Sequence, residues 1–126
     1  LKDVTADGRY SMVYTANEAA EKVAEEDGTS VEILDLRTII PWDRKAVLES
    51  VEKTSKVIVL HEDTHTGGFG GEIAATIAEE SIEHLDAPVK RITAPDTPVP
   101  FAPTLEKAFI PQVDDVVAGI KELAAY

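Results

Sequence analysis

The stretch KVIVLHEDTHTGGFGGEIAATIA, residues 56–78, decides the fold of this chain. It begins with the run Val57 to Leu60, which is short, rich in β-branched residues and typical of a strand buried on both faces of a sheet. A glycine-rich turn follows, and after it apolar residues recur at helical spacing from Ile73 onward. A buried strand, a tight turn and an amphipathic helix in this order indicate an open α/β domain.

The same alternation extends to both sides of this stretch. Apolar stripes predict helices over residues 12–24, 73–85 and 113–123. Gly28 is the expected C-terminal cap of the first helix, because glycine accepts the left-handed conformation that ends many helices. Asp43 is the expected N-cap of a further helix through Val47, Leu48 and Val51.

Three buried strands are predicted, at about residues 31–36, 56–61 and 88–93. We expect them to be the central strands of a sheet that helices cover on both faces. Strands joined through helices pair mostly in parallel with right-handed crossovers. Residues 1–126 are therefore predicted to form a single α/β domain.

Residues 94–111 are unusual, because they contain five of the seven prolines of the chain. This segment also carries four large apolar side chains, on Phe101, Leu105, Phe109 and Ile110. A flexible linker would lack such residues. We therefore predict an ordered, extended arm that these four side chains pin to the domain.

The composition excludes several classes of function. The net charge of −12 argues against binding to a nucleic-acid backbone, which needs a basic surface. The chain has no cysteine, so disulfides and thiolate metal sites are excluded. No apolar stretch approaches the length needed to cross a bilayer, and the first residues lack the apolar centre of a signal peptide. We expect a cytoplasmic, bacterial protein with no membrane partner.

The segment His61 to Gly71 is the first candidate for chemistry, because loops at the carboxyl ends of parallel strands commonly hold ligands. Its glycines do not follow a known phosphate-binding pattern, and Glu62 and Asp63 would repel phosphate. A zinc site on His61 and His65 is equally disfavoured, because the chain offers no cysteine and only one further histidine, His84, which is expected on a helix surface. We expect instead a strand-end histidine hydrogen-bonded to a neighbouring carboxylate. The glycines are expected to allow positive φ and a close approach of helix and strand.

The remaining polar residues do not form a catalytic set. Asp35 and Arg37 are expected to form a structural ion pair at a strand end, and Asp96 is expected to be a turn or cap residue. No serine lies in a nucleophile elbow, and no cysteine exists. The predicted catalytic, cofactor-binding and metal-binding residues are therefore none.

An ordered series of short segments gives a more specific indication, because it resembles the β subunits of 2-oxo acid dehydrogenase E1 components over nearly all of residues 11–126. The segments are Val31 to Thr38 with Ile39 to Asp43, Ser50 to Thr54, His61-Glu62 with Gly67 to Gly70, Leu85 to Val89, Pro95 to Pro98, and Phe109 to Pro111. The variant Pro41-Trp42-Asp43 resembles the branched-chain, 2-oxoisovalerate members more than the pyruvate members. Single-chain enzymes with fused α and β parts are similar as well.

The resemblance implies the carboxyl-terminal, transketolase-like domain of such an enzyme. That fold is a three-layer α/β/α arrangement with a mixed, mostly parallel sheet of about five strands. The family opens with an apolar first strand, whereas residues 1–10 contain Asp7-Gly8, which is a turn signal. We therefore expect the first strand to be shortened or missing.

The resemblance also implies a function. In such enzymes thiamine diphosphate, magnesium and the catalytic residues belong to the preceding domains, so this domain is expected to bind no cofactor and to be inactive alone. It would pair subunits about a two-fold axis, contact the remaining E1 domains, and dock the peripheral subunit-binding domain of the E2 acyltransferase. The family's docking contacts correspond to Asp86 and to the terminal carboxylate on Tyr126. Two anions of this kind suit a basic partner.

Two other functions remain open at the level of the sequence. One is a stand-alone enzyme that uses the glycine-rich loop 66–71, which an activity screen with and without thiamine diphosphate would detect. The other is a small-molecule or anion-binding domain that uses the same loop. Thermal shift in the presence of anions would reveal this second function.

Overall fold

The computed structural model describes the backbone of residues 2–7 and 10–126, and the side chains from Met12 onward. The described residues form four strands and five α-helices in alternation. In chain order these are β1 (Lys2–Asp7), α1 (Tyr10–Asp27), β2 (Glu32–Asp35), α2 (Arg44–Thr54), β3 (Ser55–Thr64), α3 (Gly70–Glu80), β4 (Lys90–Ala94), α4 (Pro103–Phe109) and α5 (Val113–Ala124). A short 3₁₀ turn, Ile82–His84, lies between α3 and β4.

The sheet is open and parallel, with the strand order β2-β1-β3-β4. Each connection between consecutive strands contains a helix, which returns the chain to the same end of the sheet and forces parallel pairing. The described residues form four parallel strands, whereas the resemblance implies a mixed, mostly parallel sheet of about five strands. The α/β class is confirmed by this arrangement.

The first strand is central, which corrects two expectations: that this strand is shortened or missing, and that the runs at 31–36 and 88–93 are central. Residues Lys2–Asp7 pair with β2 on one side and with β3 on the other, so the strand is neither missing nor at an edge. The runs at 31–36 and 88–93 form β2 and β4, which are the two edge strands. The turn signal Asp7-Gly8 falls where the strand ends, and Gly8 itself lies outside the described residues.

Two apolar cores lie on opposite faces of the sheet, as the alternation of side chains along β3 requires. Ile58 and Leu60 face the first core, which α1 and α5 cover. Val57 and Val59 face the second core, which α2 and α3 cover. The predicted coverage of both faces is therefore confirmed.

Local signals at the helix ends act as the sequence indicates. The Oδ1 atom of Asp43 accepts a hydrogen bond of 3.0 Å from the Ala46 N–H and caps α2. Gly28 follows α1 with φ +75° and donates its N–H to the Ala24 carbonyl. No helix among the described residues is long and apolar enough to cross a membrane.

The helix after the glycine-rich turn is shorter than its apolar stripe predicts. The helix α3 ends at Glu80, and the chain turns away through the 3₁₀ segment, so Ile82 is 64% exposed. Leu85 still packs against the second core. The stripe therefore contains a large apolar residue, Ile82, that the fold leaves at the surface near the amino end of the sheet.

Two of the four side chains that are predicted to pin the proline-rich arm pack against the domain. Phe109 is only 9% exposed, and Ile110 packs against the first core. Phe101 is fully exposed and Leu105 is 58% exposed, so the prediction for these two residues is wrong. The arm is also not extended throughout, because Pro103–Phe109 form α4. That helix points Phe109 inward and Leu105 outward.

Candidate functional site

The carboxyl end of β3 carries the residues that the sequence marks for chemistry. The strand continues through Thr64, so His61 to Thr64 belong to the strand and not to the loop that follows. The pairing with β4 shifts register between Leu60 and Thr64. Such an irregularity is common next to functional loops because it redirects side chains.

His61 fills the space that two glycines leave open. A Cβ atom on Gly68 would lie 2.7 Å from Cε1 of His61, and one on Gly70 would lie 2.5 Å from its Cδ2 atom. The glycines therefore let the turn and the start of α3 approach the imidazole closely, as predicted. Gly67 has φ +77°, which confirms the expected positive φ in this loop.

The expected hydrogen bond between His61 and a carboxylate is absent. Neither ring nitrogen of His61 reaches hydrogen-bond geometry with any group among the described residues, although both atoms are buried. Burial dominates and lowers the pKa of His61 below its ordinary value of 6.5, because the charged form loses hydration. The negative charge on Asp63 opposes this shift, and the positive charge on Arg91 adds to it.

This lowered pKa predicts a loss of stability in mild acid. In the unfolded chain this histidine has a pKa near 6.5, so it binds a proton at a higher pH than in the folded chain. Between the folded pKa and about 6.5, the free energy of unfolding therefore rises with pH. We expect the stabilisation to be complete above about pH 6.5 and to be lost as the pH falls towards the folded pKa. Urea denaturation of the parent and of His61→Leu at several pH values measures the effect. Equal pH slopes for the two proteins would contradict it.

His65 organises the outer side of the same strand ends. The Nη2 atom of Arg91 donates to Nε2 of His65 at 2.7 Å, and Nη1 donates to the His65 carbonyl at 2.9 Å. Because a guanidinium only donates, Nε2 must offer a lone pair, and the imidazole is the neutral Nδ1–H tautomer. Its Nδ1 atom then donates to the Thr93 hydroxyl at 3.2 Å, and that hydroxyl donates to the Ala94 carbonyl.

Asp96 connects the loops that follow β3 and β4. Its two carboxylate oxygens accept hydrogen bonds from the Thr66 N–H at 2.7 Å and from the Thr66 hydroxyl at 2.6 Å. These two hydrogen bonds lower the pKa of Asp96, because both favour the ionised carboxylate. The expectation of a turn residue is met by the Thr97 N–H bond to the Pro95 carbonyl. The contact to a loop thirty residues away was not predicted.

This end of the sheet does not present the ligand sets that metals or phosphates need. No group of three His, Asp or Glu side chains that could hold a metal ion occurs in the part of the chain that the structure describes. The N–H groups of Gly71 and Glu72, at the start of α3, bond to the carbonyls of Gly68 and Phe69. The glycine-rich turn therefore uses these donors itself.

Two further contacts stabilise the loop after β2. The predicted ion pair forms, with Nε of Arg37 3.0 Å from Oδ2 of Asp35. The ring of Trp42 meets that of Phe69 edge to face, with centroids 6.3 Å apart. The aromatic pair joins two loops at the carboxyl end of the sheet. No spacing in the sequence signals this aromatic pair, because Trp42 and Phe69 lie in loops that follow different strands.

The predicted docking residues lie at the opposite, amino end of the sheet. Asp86 is exposed and donates its N–H to the carbonyl of Ser55, the first residue of β3. The next residue, Ala87, is buried in the same core cluster as Leu123 of α5. Tyr126 follows that helix with its side chain 66% exposed. The structure thus places both predicted residues at one end of the domain.

The strand order and the helices on both faces define an open, parallel α/β domain. Its polar contacts, including those of His65 and Asp96, lie at the carboxyl end of the sheet. The chain belongs to the transketolase C-terminal domain family, whose sequence pattern it matches over residues 8–116. The structure of a split gene transketolase, an inactive β4 tetramer, superposes with a TM-score of 0.79 at 27% identity. That comparison covers 98% of this chain and 38% of the other.

Curated relatives are β subunits of E1 enzymes. The chain is 43% identical over 125 residues to the 2-oxoisovalerate dehydrogenase subunit beta of Bacillus subtilis, covering 98% of this chain and 38% of that protein. It is 45% identical over 120 residues to the pyruvate dehydrogenase E1 component subunit beta-1 of Arabidopsis thaliana, covering 95% of this chain and 33% of the relative. The chain thus spans little more than a third of these relatives. Because branched-chain and pyruvate types match equally well, the predicted preference for the branched-chain type stays a prediction.

Proposed function

We propose that this domain is the carboxyl-terminal assembly and docking domain of the E1 component of a 2-oxo acid dehydrogenase complex. Its similarity to E1 β subunits over nearly the whole chain supports this proposal. The active enzyme would be completed by the remaining E1 domains, by the α part, and by pairing of two β parts about a two-fold axis. We propose that this enzyme acts on branched-chain 2-oxo acids in the bacterial cytoplasm.

Thiamine diphosphate and magnesium are proposed to bind in the rest of that enzyme. The residues described here fit neither group well, because the glycine-rich turn follows Glu62 and Asp63, and the N–H donors of Gly71 and Glu72 at the start of α3 are engaged within the turn. A metal-bound diphosphate needs free N–H donors and oxygen ligands that converge on the ion. In the proposed enzyme this domain contributes surfaces and no reacting group.

The observation that carries the docking proposal is the shared position of Asp86 and Tyr126. Both are exposed, and both lie at the end where β3 begins and α5 ends. The exposed carboxylate of Asp86, at the same end of the domain as Tyr126, would attract a basic docking domain to this chain of net charge −12. We propose the peripheral subunit-binding domain of an E2 acyltransferase as that partner.

We expect Asp86→Ala to weaken binding of the E2 subunit-binding domain at least tenfold, which corresponds to about 1.4 kcal/mol. Removing one member of a desolvated interface ion pair commonly costs about 2–5 kcal/mol. The measurement is calorimetric titration at moderate salt. It uses assembled E1, in which both copies of the paired domain are present for docking.

Glu25→Ala is the matched control, since Glu25 is an exposed carboxylate on α1. Its loss should change affinity little. Unchanged affinity for Asp86→Ala would show that the acidic surface only solvates the protein.

A further inference from the structure

A groove of about 630 Å³ runs along β4, which is an edge strand of the sheet. On the strand side its lining consists of six consecutive residues, 90–95. Successive side chains of a strand point to opposite faces, so a groove on one face would meet only every second residue. A groove lined by consecutive residues follows the backbone edge itself, where no strand of the described residues lies beside the outward N–H and C=O groups of β4.

The two walls of this groove differ in chemistry. Lys90 and Ile92 point towards α5, where Lys90 pairs with Glu122 at 2.5 Å and Ile92 lies against Gly119. The arm and α5 line the groove with apolar residues, including Ile110 and the exposed Ala118, and with the carboxylates of Asp115 and Glu122. Glu122 pairs with Lys90, and the Oδ2 atom of Asp115 accepts the Gln112 N–H. The apolar part of this wall therefore lies at Ile110 and Ala118.

The other wall carries an unbalanced positive charge. Arg91 and Thr93 point to the opposite side, where both bond to His65. An imidazole carries no negative charge, so it does not offset the guanidinium. No carboxylate lies within ion-pair distance of Arg91 in the region from Met12 to the end of the chain.

The geometry points to the outer edge of β4 as a docking site for an extended partner peptide in which apolar and acidic residues alternate. The peptide would add a fifth strand through backbone hydrogen bonds. With a period of two, one set of its side chains meets the apolar wall of Ile110 and Ala118. The other set meets Arg91, which supplies the charge complementarity that selects acidic residues.

The probe for this proposal is a fluorescein-labelled hexapeptide of alternating valine and glutamate, with blocked ends, titrated against the full 126-residue chain. We expect saturable binding with a Kd below about 0.1 mM. The same peptide with methylated backbone nitrogens should bind at least tenfold more weakly, because strand addition depends on its N–H donors.

Two variants locate the binding. Ala118→Trp should abolish it by filling the groove from an exposed position, whereas Ala78→Trp, at an exposed position of α3 outside the groove, should leave it unchanged. Arg91→Glu should weaken the glutamate peptide at least tenfold and strengthen a matching peptide with lysine in place of glutamate. Circular dichroism confirms that each variant is folded.

The outcomes separate the possible occupants. Absence of binding to the parent chain, or equal binding to the parent and to Ala118→Trp, would overturn the proposal. If the parent dimerises in sedimentation, Ala118→Trp does not, and neither peptide binds, the edge belongs to a second copy of this chain and the proposal is wrong. This test involves no residue of the proposed E2 surface, so it is independent of that docking experiment.

Discussion

Truncating Phe109 to alanine is expected to lower the free energy of unfolding by about 3 kcal/mol. The side chain is only 9% exposed, and it lies where the proline-rich arm returns to the domain ahead of α5. Its loss removes buried apolar surface and leaves a cavity that movement of the short helix α4 does not easily fill. The measurement is urea denaturation followed by circular dichroism.

Phe101→Ala is the matched control, because it makes the same chemical change eight residues earlier in the same arm. Phe101 is fully exposed, so its truncation should change the free energy of unfolding by less than about 0.5 kcal/mol. The pair separates anchoring of the arm from any general effect of losing an aromatic ring. Equal destabilisation by the two changes would mean that Phe101 is buried after all.

The predictable parts of the fold are those specified by neighbouring residues. The β-branched run of β3 forms its strand, Asp43 caps α2, and Gly28 ends α1, each within a few residues of the signal. Both cores follow from the same local pattern, since alternate residues of β3 face opposite helix layers. Local propensity and tertiary packing agree at these positions.

Other features depend on pairings between distant segments. The central place of β1 is decided by parallel pairing with both β2 and β3, which no local turn signal reveals. The bond between Thr66 and Asp96 joins segments thirty residues apart. The inward and outward sides of the arm depend on the short helix α4, whose seven residues are too few for periodicity to define.

The candidate site shows the same division. The glycine-rich turn predicts a close approach of helix and strand, and this is what Gly68 and Gly70 provide. The sequence does not reveal that His61 occupies the resulting space without a hydrogen-bond partner among the described residues. Residue type suggests ligand or ion-pair chemistry for a histidine beside acidic residues. Packing decides instead that its ring is held mainly by contacts with the backbone of the turn.

Replacing Gly70 with alanine is therefore expected to destabilise the domain by about 1–3 kcal/mol through overpacking. The new methyl group would lie 2.5 Å from Cδ2 of His61 and 3.1 Å from Cγ1 of Val59. Helix propensity alone predicts the opposite sign, because alanine is favoured over glycine by about 1 kcal/mol within a helix. The sign of the change in urea denaturation thus distinguishes the steric effect from propensity.

Gly71→Ala provides the control, since it adds the same methyl group one position later. Its nearest neighbour would be Nη1 of Arg91 at 3.7 Å, an ordinary contact, so we expect no loss and a gain of up to about 1 kcal/mol. The double variant His61→Ala with Gly70→Ala tests the cause directly. If the ring causes the strain, the two changes together should destabilise less than the sum of the single changes, by about 0.5–3 kcal/mol. Additive effects would place the strain at Val59 or in the backbone of α3.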